Sequence, residues 1–442
     1  MSKLLQGTIV YFCDGTKGKV LEELGSGGQG TVYLVEREGE KYALKWYHKC
    51  PSIAMIDNMK ENIKMGSPSK EFLWPITDTT QSYGSYGYLM HLCPKSYKGY
   101  VKFILGGANS IGCVSEEVQI NAAINICSAF QKLHLKGLSY QDLNDGNFFI
   151  NPQTGDVLIG DNDNAAPDKT NISCIRGKCR YMAPEIVGTN NAKGSDPDKF
   201  SDYFSLAVIL FKFFFLDHPL EGKFNQSCLC LSEKFERVLY GERPLFIFDP
   251  YDKSNEATNY NSNAIKRWPL APNILRNAFI HAFSNESLHN PTRRMSERDW
   301  IKALVEYRSS LCVCPTCNQL TYIEKEDQGR CKECKRQRDI FWMAIASYRI
   351  PLVPNQKLYA CHTESNINYK DVTAVVVRNA KDSSKFGLQN LSKYDWILEC
   401  NHPDTGEKIN KVIKKGETAP IINGGTIKFG NIAIGKIKLI VH

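Results

Sequence analysis

A glycine-rich stretch near the N-terminus constrains the fold most. Residues 25–30 read Gly-Ser-Gly-Gly-Gln-Gly and lie between residues 19–24 and 31–35, whose β-branched and aromatic side chains predict strands. Glycines allow the turn of such a hairpin to lie close over phosphate groups, because no Cβ stands in the way. A dinucleotide-binding fold would place a helix directly after this stretch. The flanking strands therefore favour a β-hairpin lid.

Polar residues follow this hairpin in a fixed order. Lys45 lies on the next predicted strand, and Asp142 and Asn147 share one short stretch. Asp161 follows the apolar residues 157–160, and a Met-Ala-Pro-Glu sequence ends the series at Glu185. Each pattern alone is weak evidence, but chance rarely produces all of them in this order.

The order of motifs resembles the eukaryotic-type (Hanks-type) protein kinase family, over roughly residues 8–305. The resemblance implies an α+β, bilobal kinase fold and transfer of the γ-phosphate of ATP to Ser/Thr hydroxyls of a protein partner. Asp142 is then the catalytic base, and Lys45 contacts the phosphates. Asn147 and Asp161 would hold Mg²⁺, which prefers hard oxygen ligands.

The resemblance extends to the walls of the nucleotide site. Lys45 needs a carboxylate to orient it, and we expect Glu61 in this role, with Asp57 one turn earlier as the alternative. Met90 would close the back of the adenine pocket, and the backbone just after it would hydrogen-bond adenine. The predicted cofactor-binding residues are Gly25, Ser26, Gly27, Gly28, Gly30, Val32, Ala43, Lys45, Glu61, Met90, His91, Cys93, Asn147 and Asp161.

Three positions depart from the family pattern. Gln141 replaces the arginine before the catalytic aspartate, so a phosphorylated activation loop lacks its usual partner there. Asn162 stands where a phenylalanine normally packs, and Asn144 stands where serine/threonine kinases usually have a lysine. The four essential polar residues remain, so we expect an active kinase. The alternative is a pseudokinase scaffold whose C-terminal modules mediate protein interactions.

Two structural features of the large lobe also follow from the resemblance. Glu185 resembles a glutamate that pairs with an arginine late in the domain, and Arg294 fits as its partner. Asp202 would brace the catalytic loop from a central helix. The apolar residues of that helix recur at helical spacing and are predicted core, namely Leu206, Ile209, Leu210 and Phe213.

The cysteines predict a metal site. Five of the sixteen fall between Cys312 and Cys334. Four of these form two CxxC pairs, and four thiolates at such spacing predict a structural, tetrahedral Zn²⁺ site, with redox chemistry as the alternative. A segment this small cannot bury a core, so metal would hold it together. The predicted ligands are Cys314, Cys317, Cys331 and Cys334.

The C-terminal region reads as all β. Short β-rich runs with glycine turns predict a small sandwich over residues 351–442, loosely resembling forkhead-associated (FHA) domains. We therefore expect three domains. The first is a kinase domain over 1–308, with lobes of about 1–92 and 93–308. A zinc ribbon with a flanking segment follows over 309–350, and the β-domain comes last. The architecture resembles bacterial kinases associated with a von Willebrand A-type protein, which would be the partner, and an opposing type 2C phosphatase.

Charge and hydropathy limit which partners and which cellular location we expect. Residues 309–442 carry 20 lysines and arginines against 13 acidic residues, which leaves the preceding part nearly neutral. A solvated basic face explains this excess better than nucleic-acid binding, since the ribbon lacks a dense arginine and aromatic surface. No apolar run has the length of a membrane span or signal peptide, so we expect a cytoplasmic protein without membrane contact.

Overall fold

The computed structural model describes residues 3–80, 85–105, 114–170, 172, 177–188, 194–226, 232–314, 316–324, 330–337, 339–364, 367–379, 382, 385–401 and 405–440. The chain divides into two compact units. The first comprises Met1–Leu270 and Ala278–Trp300, and the second comprises Ala271–Asn277 and Ile301–His442. Within the described part of the chain, no helix is both long enough and apolar enough to cross a bilayer.

The first unit begins with an antiparallel sheet. Its strands are β1 (Ile9–Tyr11), β2 (Lys17–Ser26), β3 (Gly30–Arg37), β4 (Glu40–Tyr47), β5 (Pro75–Asp78) and β6 (Gly87–His91), and helix α1 (Ile53–Met65) lies between β4 and β5 in the chain. The order in the sheet is β1-β2-β3-β4-β6-β5.

Alternation along β4 decides which residues face the site. Leu44 and Trp46 join a core cluster on one face of the sheet, whereas Ala43 and Tyr47 join the cluster that includes the buried side of α1. Successive side chains of a strand point to opposite faces. Lys45 therefore lies on the α1 face, between Ala43 and Tyr47, which the sequence left open.

The chain then becomes mainly helical. Between Lys98 and Ser310 it forms β7 (Lys98–Gly99), α2 (Tyr100–Leu105), α3 (Glu116–Leu135), β8 (Leu138–Ser139), β9 (Phe148–Ile150), β10 (Val157–Ile159), β11 (Ala166–Pro167), α4 (Pro184–Val187), α5 (Lys199–Phe215), α6 (Lys223–Gln226), α7 (Glu233–Arg237), α8 (Ser262–Arg267), α9 (Asn273–Ala282), α10 (Asn285–His289) and α11 (Glu297–Ser310).

Helix α5 is the buried centre of this region. It begins with a capping box, in which Asp198 accepts from the backbone N–H of Ser201 and the Ser201 side chain closes the reciprocal bond. The four apolar residues predicted as core are fully buried, so that prediction is confirmed. The Phe211 ring contacts the rings of Phe215, Phe246, Phe248, Trp268, Phe279 and Phe283.

The second unit is rich in strands. A hairpin of β12 (Leu311–Val313) and β13 (Leu320–Tyr322) comes first. It is followed by β14 (Ile340–Ile345), β15 (Tyr348–Pro351), β16 (Lys357–Tyr359), α12 (Ala360–Thr363), β17 (Val372–Arg378), β18 (Phe386–Asn390), β19 (Trp396–Asn401), β20 (Lys408–Ile413), β21 (Thr418–Pro420), β22 (Thr426–Phe429) and β23 (Ala433–Ile440).

Two sheets in this unit share one core. Strands β15-β14-β23-β22-β19-β20 form one sheet and β16-β17-β18-β21 the other. Buried residues of both, such as Leu398 and Val376, belong to the same hydrophobic cluster. The predicted start of the β-domain at residue 351 is too late, because β14 pairs with β23 along its whole length. The short helix α12 also interrupts the region predicted as all β.

The aromatic cluster around α5 gives a stability test. We expect Phe211→Ala to lower the free energy of unfolding by about 3–5 kcal/mol, because it leaves a cavity among six rings. The control Leu135→Ala, at a position 81% exposed, should change it by about 0.5 kcal/mol or less. Urea unfolding followed by tryptophan fluorescence measures both. Equal effects of the two substitutions would contradict the packing described.

Candidate active site and metal centre

The glycine-rich residues form the predicted hairpin between β2 and β3. Ser26 pairs with Thr31, and the Gly27 N–H donates to the Gly30 carbonyl over 2.9 Å. A Cβ on Gly30 would lie 2.5 Å from the carbonyl oxygen of Trp46, so the close approach of β4 requires glycine there. The tip is open to solvent and therefore accessible to a ligand. Its exposed residues are Gly25, Ser26, Gly27 and Gly28.

Four of the predicted cofactor-binding residues meet in one apolar wall. Ala43 and Met90 are buried partners across β4 and β6. Val32 and Cys93 are partly buried and pack against the same cluster. His91, at the end of β6, is exposed. The structure thus brings four of these five side chains into one cluster.

Lys45 lies at the centre of a buried ion-pair network. Its Nζ donates to Oδ1 of Asp161 (2.6 Å), to Oδ2 of Asp163 (2.7 Å) and to Oε1 of Gln29 (3.3 Å). The hydroxyl of Tyr47 donates to the same oxygen of Asp163. Burial alone would lower the pKa of Lys45, but the charges of Asp163 and Asp161 outweigh it and raise the pKa above its usual value. Lys45 is therefore held as a cation.

The predicted pairing of Lys45 with Glu61 is wrong in this structure. Glu61 is exposed on α1, and so is its alternative Asp57. The physical reason is which face of α1 is buried. The buried face contains Met55 and Met59, and both acidic residues lie outside it. Asp163, which the sequence analysis did not assign, takes the orienting position.

Two asparagines on the buried face of α1 bind the segment after β10 instead. The side-chain amides of Asn58 and Asn62 both donate to the carbonyl oxygen of Ala165, over 2.9 Å and 2.7 Å. Both asparagines are buried. Neutral hydrogen bonds thus dock the helix near the Lys45 network without supplying a carboxylate to it.

The predicted base lies in a short polar loop after β8. The Asn147 side-chain amide donates to the backbone oxygen of Asp142 (2.8 Å), and Asn144 donates to Oδ1 of Asp142 (3.2 Å). Burial, followed by the charge of Asp161, raises the pKa of Asp142 to about 6. Asp142 is therefore ionised at neutral pH and more basic than an ordinary aspartate.

Asp161 lies two residues after the end of β10 and has left-handed backbone, at φ 54°. The next residue, Asn162, is fully buried and donates its side-chain amide to the carbonyls of Leu73 (2.8 Å) and Ile159 (3.0 Å). The polar residue found in place of a phenylalanine is thus fixed by hydrogen bonds. This fixation helps to hold Asp161 and Asp163 beside Lys45.

Asp202 braces the catalytic loop, as predicted. It accepts from the backbone N–H of Tyr140 (2.6 Å) and of Gln141 (3.2 Å). His134, which the sequence analysis did not assign, binds Asp202 over 3.0 Å and also contacts Glu297. Burial would lower the pKa of His134, but its bonds to the two carboxylates raise the pKa to about 9. The brace therefore contains a cation at neutral pH.

The second predicted structural pair is also present. Arg294 forms a bidentate ion pair with Glu185, with distances of 2.7 Å and 2.6 Å. Its Nη1 also donates to the carbonyl of Phe200, at the start of α5 (3.0 Å). A buried guanidinium with these partners fixes the Ala-Pro-Glu turn at α4 to α5. The segment that reaches this turn is consequently anchored at its end.

The four predicted metal ligands converge in the second unit. Their sulfur atoms all lie within 4.8 Å of one another, with 3.8 Å between Cys314 and Cys334 and 3.9 Å between Cys317 and Cys331. Sulfur atoms at about 2.3 Å from a tetrahedral zinc ion would lie about 3.8 Å apart. The donor set and its spacing therefore fit Zn²⁺.

The two cysteine pairs have nearly the same backbone hydrogen bonds around them. The N–H of Asn318 donates to the carbonyl of Cys314 (2.8 Å), and that of Lys335 donates to the carbonyl of Cys331 (3.1 Å). Asn318 and Lys335 both have left-handed backbone, at φ 58° and 60°. Each CxxC pair thus forms the same tight turn, which presents two thiolates to a common centre.

Comparison with known proteins identifies the family. Residues 19–276 match the protein kinase domain, which is more than half of the chain. The chain therefore belongs to the protein kinase family, and the kinase resemblance drawn from the motifs is confirmed. The match covers the glycine hairpin, the Lys45 network, the catalytic loop and α5.

Curated relatives agree with this assignment. The chain is 25% identical to the serine/threonine-protein kinase nrc-2 of Neurospora crassa, over 45% of the chain and 36% of the relative. It is 27% identical to the serine/threonine-protein kinase AtPK1/AtPK6 of Arabidopsis thaliana, over 54% of the chain and 52% of the relative. A probable serine/threonine-protein kinase, zyg-1 of Caenorhabditis briggsae, is 28% identical over 43% of the chain and 26% of the relative. The chain thus spans between a quarter and about half of the length of these relatives, all named as serine/threonine kinases.

The Lys45 network predicts which acidic residue matters for phosphate transfer. We expect Asp163→Asn to lower kcat about 100-fold. Without the Asp163 carboxylate, Lys45 would no longer be held where it contacts the phosphates. The control Glu61→Gln removes an exposed charge and should leave kcat within about twofold. Steady-state kinetics on folded variants, checked by circular dichroism, separates the two. A large loss in Glu61→Gln would contradict the assignment of Asp163, and not Glu61, as the partner that orients Lys45.

The cysteine site predicts one bound zinc ion per chain. Elemental analysis of purified protein should detect it, and Cys317→Ser should abolish it, because an open fourth position weakens a structural site. The matched control is Cys312→Ser, which alters a buried cysteine of the same segment outside the cluster. Retention of zinc by Cys317→Ser, or its loss from Cys312→Ser, would contradict the ligand assignment.

Proposed function

We propose that the protein is an ATP- and Mg²⁺-dependent kinase that transfers the γ-phosphate to Ser/Thr hydroxyls of a protein partner. The observation that carries this proposal is the convergence of three residues far apart in sequence. Asp161 pairs with Lys45 over 2.6 Å, and the charge of Asp161 also raises the pKa of Asp142. Membership of the protein kinase family and the names of the curated relatives support it.

Asp142 is the proposed catalytic base. Its pKa, raised to about 6, keeps it ionised at neutral pH while making it a better proton acceptor. It would accept the proton of the substrate hydroxyl as the oxygen attacks the γ-phosphorus. Asn144 and Asn147 hydrogen-bond to Asp142 and its backbone, and so hold the carboxylate in place during this step.

Lys45, Asn147 and Asp161 are proposed to hold the nucleotide and its cation. Asn147 uses its amide nitrogen on the Asp142 backbone, which leaves its amide oxygen as a ligand. The Asp161 carboxylate is 42% exposed in the open site. These are the hard oxygen donors that Mg²⁺ prefers, and the bound ion would supply positive charge to the phosphates.

The C-terminal unit is proposed to serve the kinase domain. We propose that the four-cysteine cluster holds a structural Zn²⁺ within a zinc ribbon, and that the two-sheet region is FHA-like and recruits the substrate. A von Willebrand A-type protein is the proposed substrate and a type 2C phosphatase its antagonist, in the cytoplasm of a bacterium. The order of kinase, cysteine motif and β-domain along the chain supports these assignments.

Transfer of labelled γ-phosphate tests the activity directly. We expect Mg²⁺-dependent incorporation into the protein itself and into a generic basic substrate. Lys45→Ala and Asp142→Ala should each reduce it by at least about 100-fold. Absence of incorporation by folded, zinc-loaded wild-type protein would contradict the proposal and favour the pseudokinase scaffold.

The pKa of Asp142 predicts how the rate depends on pH. The base acts only when ionised, so kcat/KM should fall as the pH drops below about 6, the raised pKa of Asp142. Well below that value the decline should approach tenfold per pH unit, as for a single titrating group. Initial rates between pH 5 and 8 in buffers of constant ionic strength measure this. A rate independent of pH over this range would exclude Asp142 as the titrating base.

A further inference from the structure

Among the described residues of the site, Lys45 is the cation assigned to the phosphates, and its charge is already shared. Lys45 is paired with Asp161 and Asp163. Asn144, beside the proposed base Asp142, is neutral. The transferred phosphoryl group spreads negative charge over three oxygen atoms, and its stabilisation is almost entirely electrostatic. A further cation close to Asp142 would meet this requirement.

Such a cation lies on the segment before α4. The Nζ of Lys178 donates to Oδ1 of Asn144 (3.3 Å) and lies 3.9 Å from Oδ1 of Asp145. Asn144 in turn donates through Nδ2 to Oδ1 of Asp142 (3.2 Å). A single amide therefore links the ammonium group to the proposed base. The Lys178 side chain is 62% exposed, so the ammonium group is accessible to a ligand from solvent.

The backbone fixes the position of Lys178. Gly177 has left-handed backbone, at φ +73°, and a Cβ there would lie 3.0 Å from Oδ1 of Asp142. The chain thus passes directly over the carboxylate, in a conformation that favours glycine. Further along, the Ser205 hydroxyl donates to the Tyr181 carbonyl over 2.6 Å. The segment thus lies against Asp142 at Gly177 and is hydrogen-bonded to α5 at Tyr181, which restricts where the Lys178 ammonium group can reach.

We propose that Lys178 contacts the transferred phosphoryl group and supplies, from the segment before α4, the positive charge that the catalytic loop does not carry at Asn144. Asn144 is then a positioning residue, because it holds the ammonium group beside Asp142. This inference rests on the kinase activity proposed above. It assigns a charge-stabilising role to a segment outside the catalytic loop.

Three variants test the charge of Lys178. We expect Lys178→Met to lower kcat by roughly 10- to 100-fold, less than a fully buried donor because solvent screens the charge. The KM for ATP should change less than about threefold, since the contact strengthens in the transition state. Lys178→Arg should retain most of the rate. Adding Asn144→Lys to Lys178→Met should recover at least about tenfold, because the loop then carries the cation itself.

The dependence of kcat/KM on pH is a further measurement. It would not change if Lys178 only stabilised the fold. Burial and the charge of Asp161 raise the pKa of Asp142, and the charge of Lys178 opposes this rise. Lys178→Met should therefore shift the acid limb of kcat/KM to higher pH, and Lys178→Arg should not. A kcat of Lys178→Met within twofold of wild type, or equal losses in the Met and Arg variants, would overturn the inference.

The two proposals fail in distinguishable ways. Transfer by wild-type protein together with unchanged transfer by Lys178→Met removes the Lys178 role and leaves the kinase activity standing. No transfer by wild-type protein removes the kinase activity and the Lys178 role with it. Loss of rate in Lys178→Met with rescue by Asn144→Lys supports both.

Discussion

The nucleotide site depends on a buried ammonium group between two carboxylates. Burying an unpaired charge costs several kcal/mol, so Lys45 must keep partners wherever it is enclosed. Those partners, Asp161 and Asp163, lie 116 and 118 residues away in the chain. The network therefore ties the sheet that carries Lys45 to the segment after β10, and so sets the position of Asp161.

This arrangement separates helix α1 from the charge network. In place of a carboxylate, α1 offers Asn58 and Asn62, which both bind the carbonyl of Ala165. Asn162 likewise holds its segment through two backbone carbonyls. Neutral amides form weaker bonds than ion pairs, but three buried amides that each donate to backbone carbonyls favour one geometry. Orientation of Lys45 then depends on Asp163 and not on how α1 is placed.

Much of the site could be predicted because its motifs are local. The spacing of Asp142 and Asn147 and the two CxxC pairs each fall within a short stretch, where sequence distance limits spatial distance. The error at Glu61 had a visible signal, since Met55, Ile56 and Met59 define a buried stripe that excludes that position. Asp163 and Lys178 could not be foreseen in this way. Their roles arise from contacts between distant segments, as does the pairing of β14 with β23.

A crystal structure with Mg²⁺ and a non-hydrolysable ATP analogue would show which residue orients Lys45 when the site is occupied. In the structure without nucleotide, Asp163, and not a residue of α1, orients Lys45. We expect Nζ of Lys45 to remain within hydrogen-bond distance of Asp163 when nucleotide is bound, while Asp161 turns to the metal ion and Glu61 stays exposed. An inward rotation of α1 that pairs Glu61 with Lys45 and releases Asp163 would contradict this assignment.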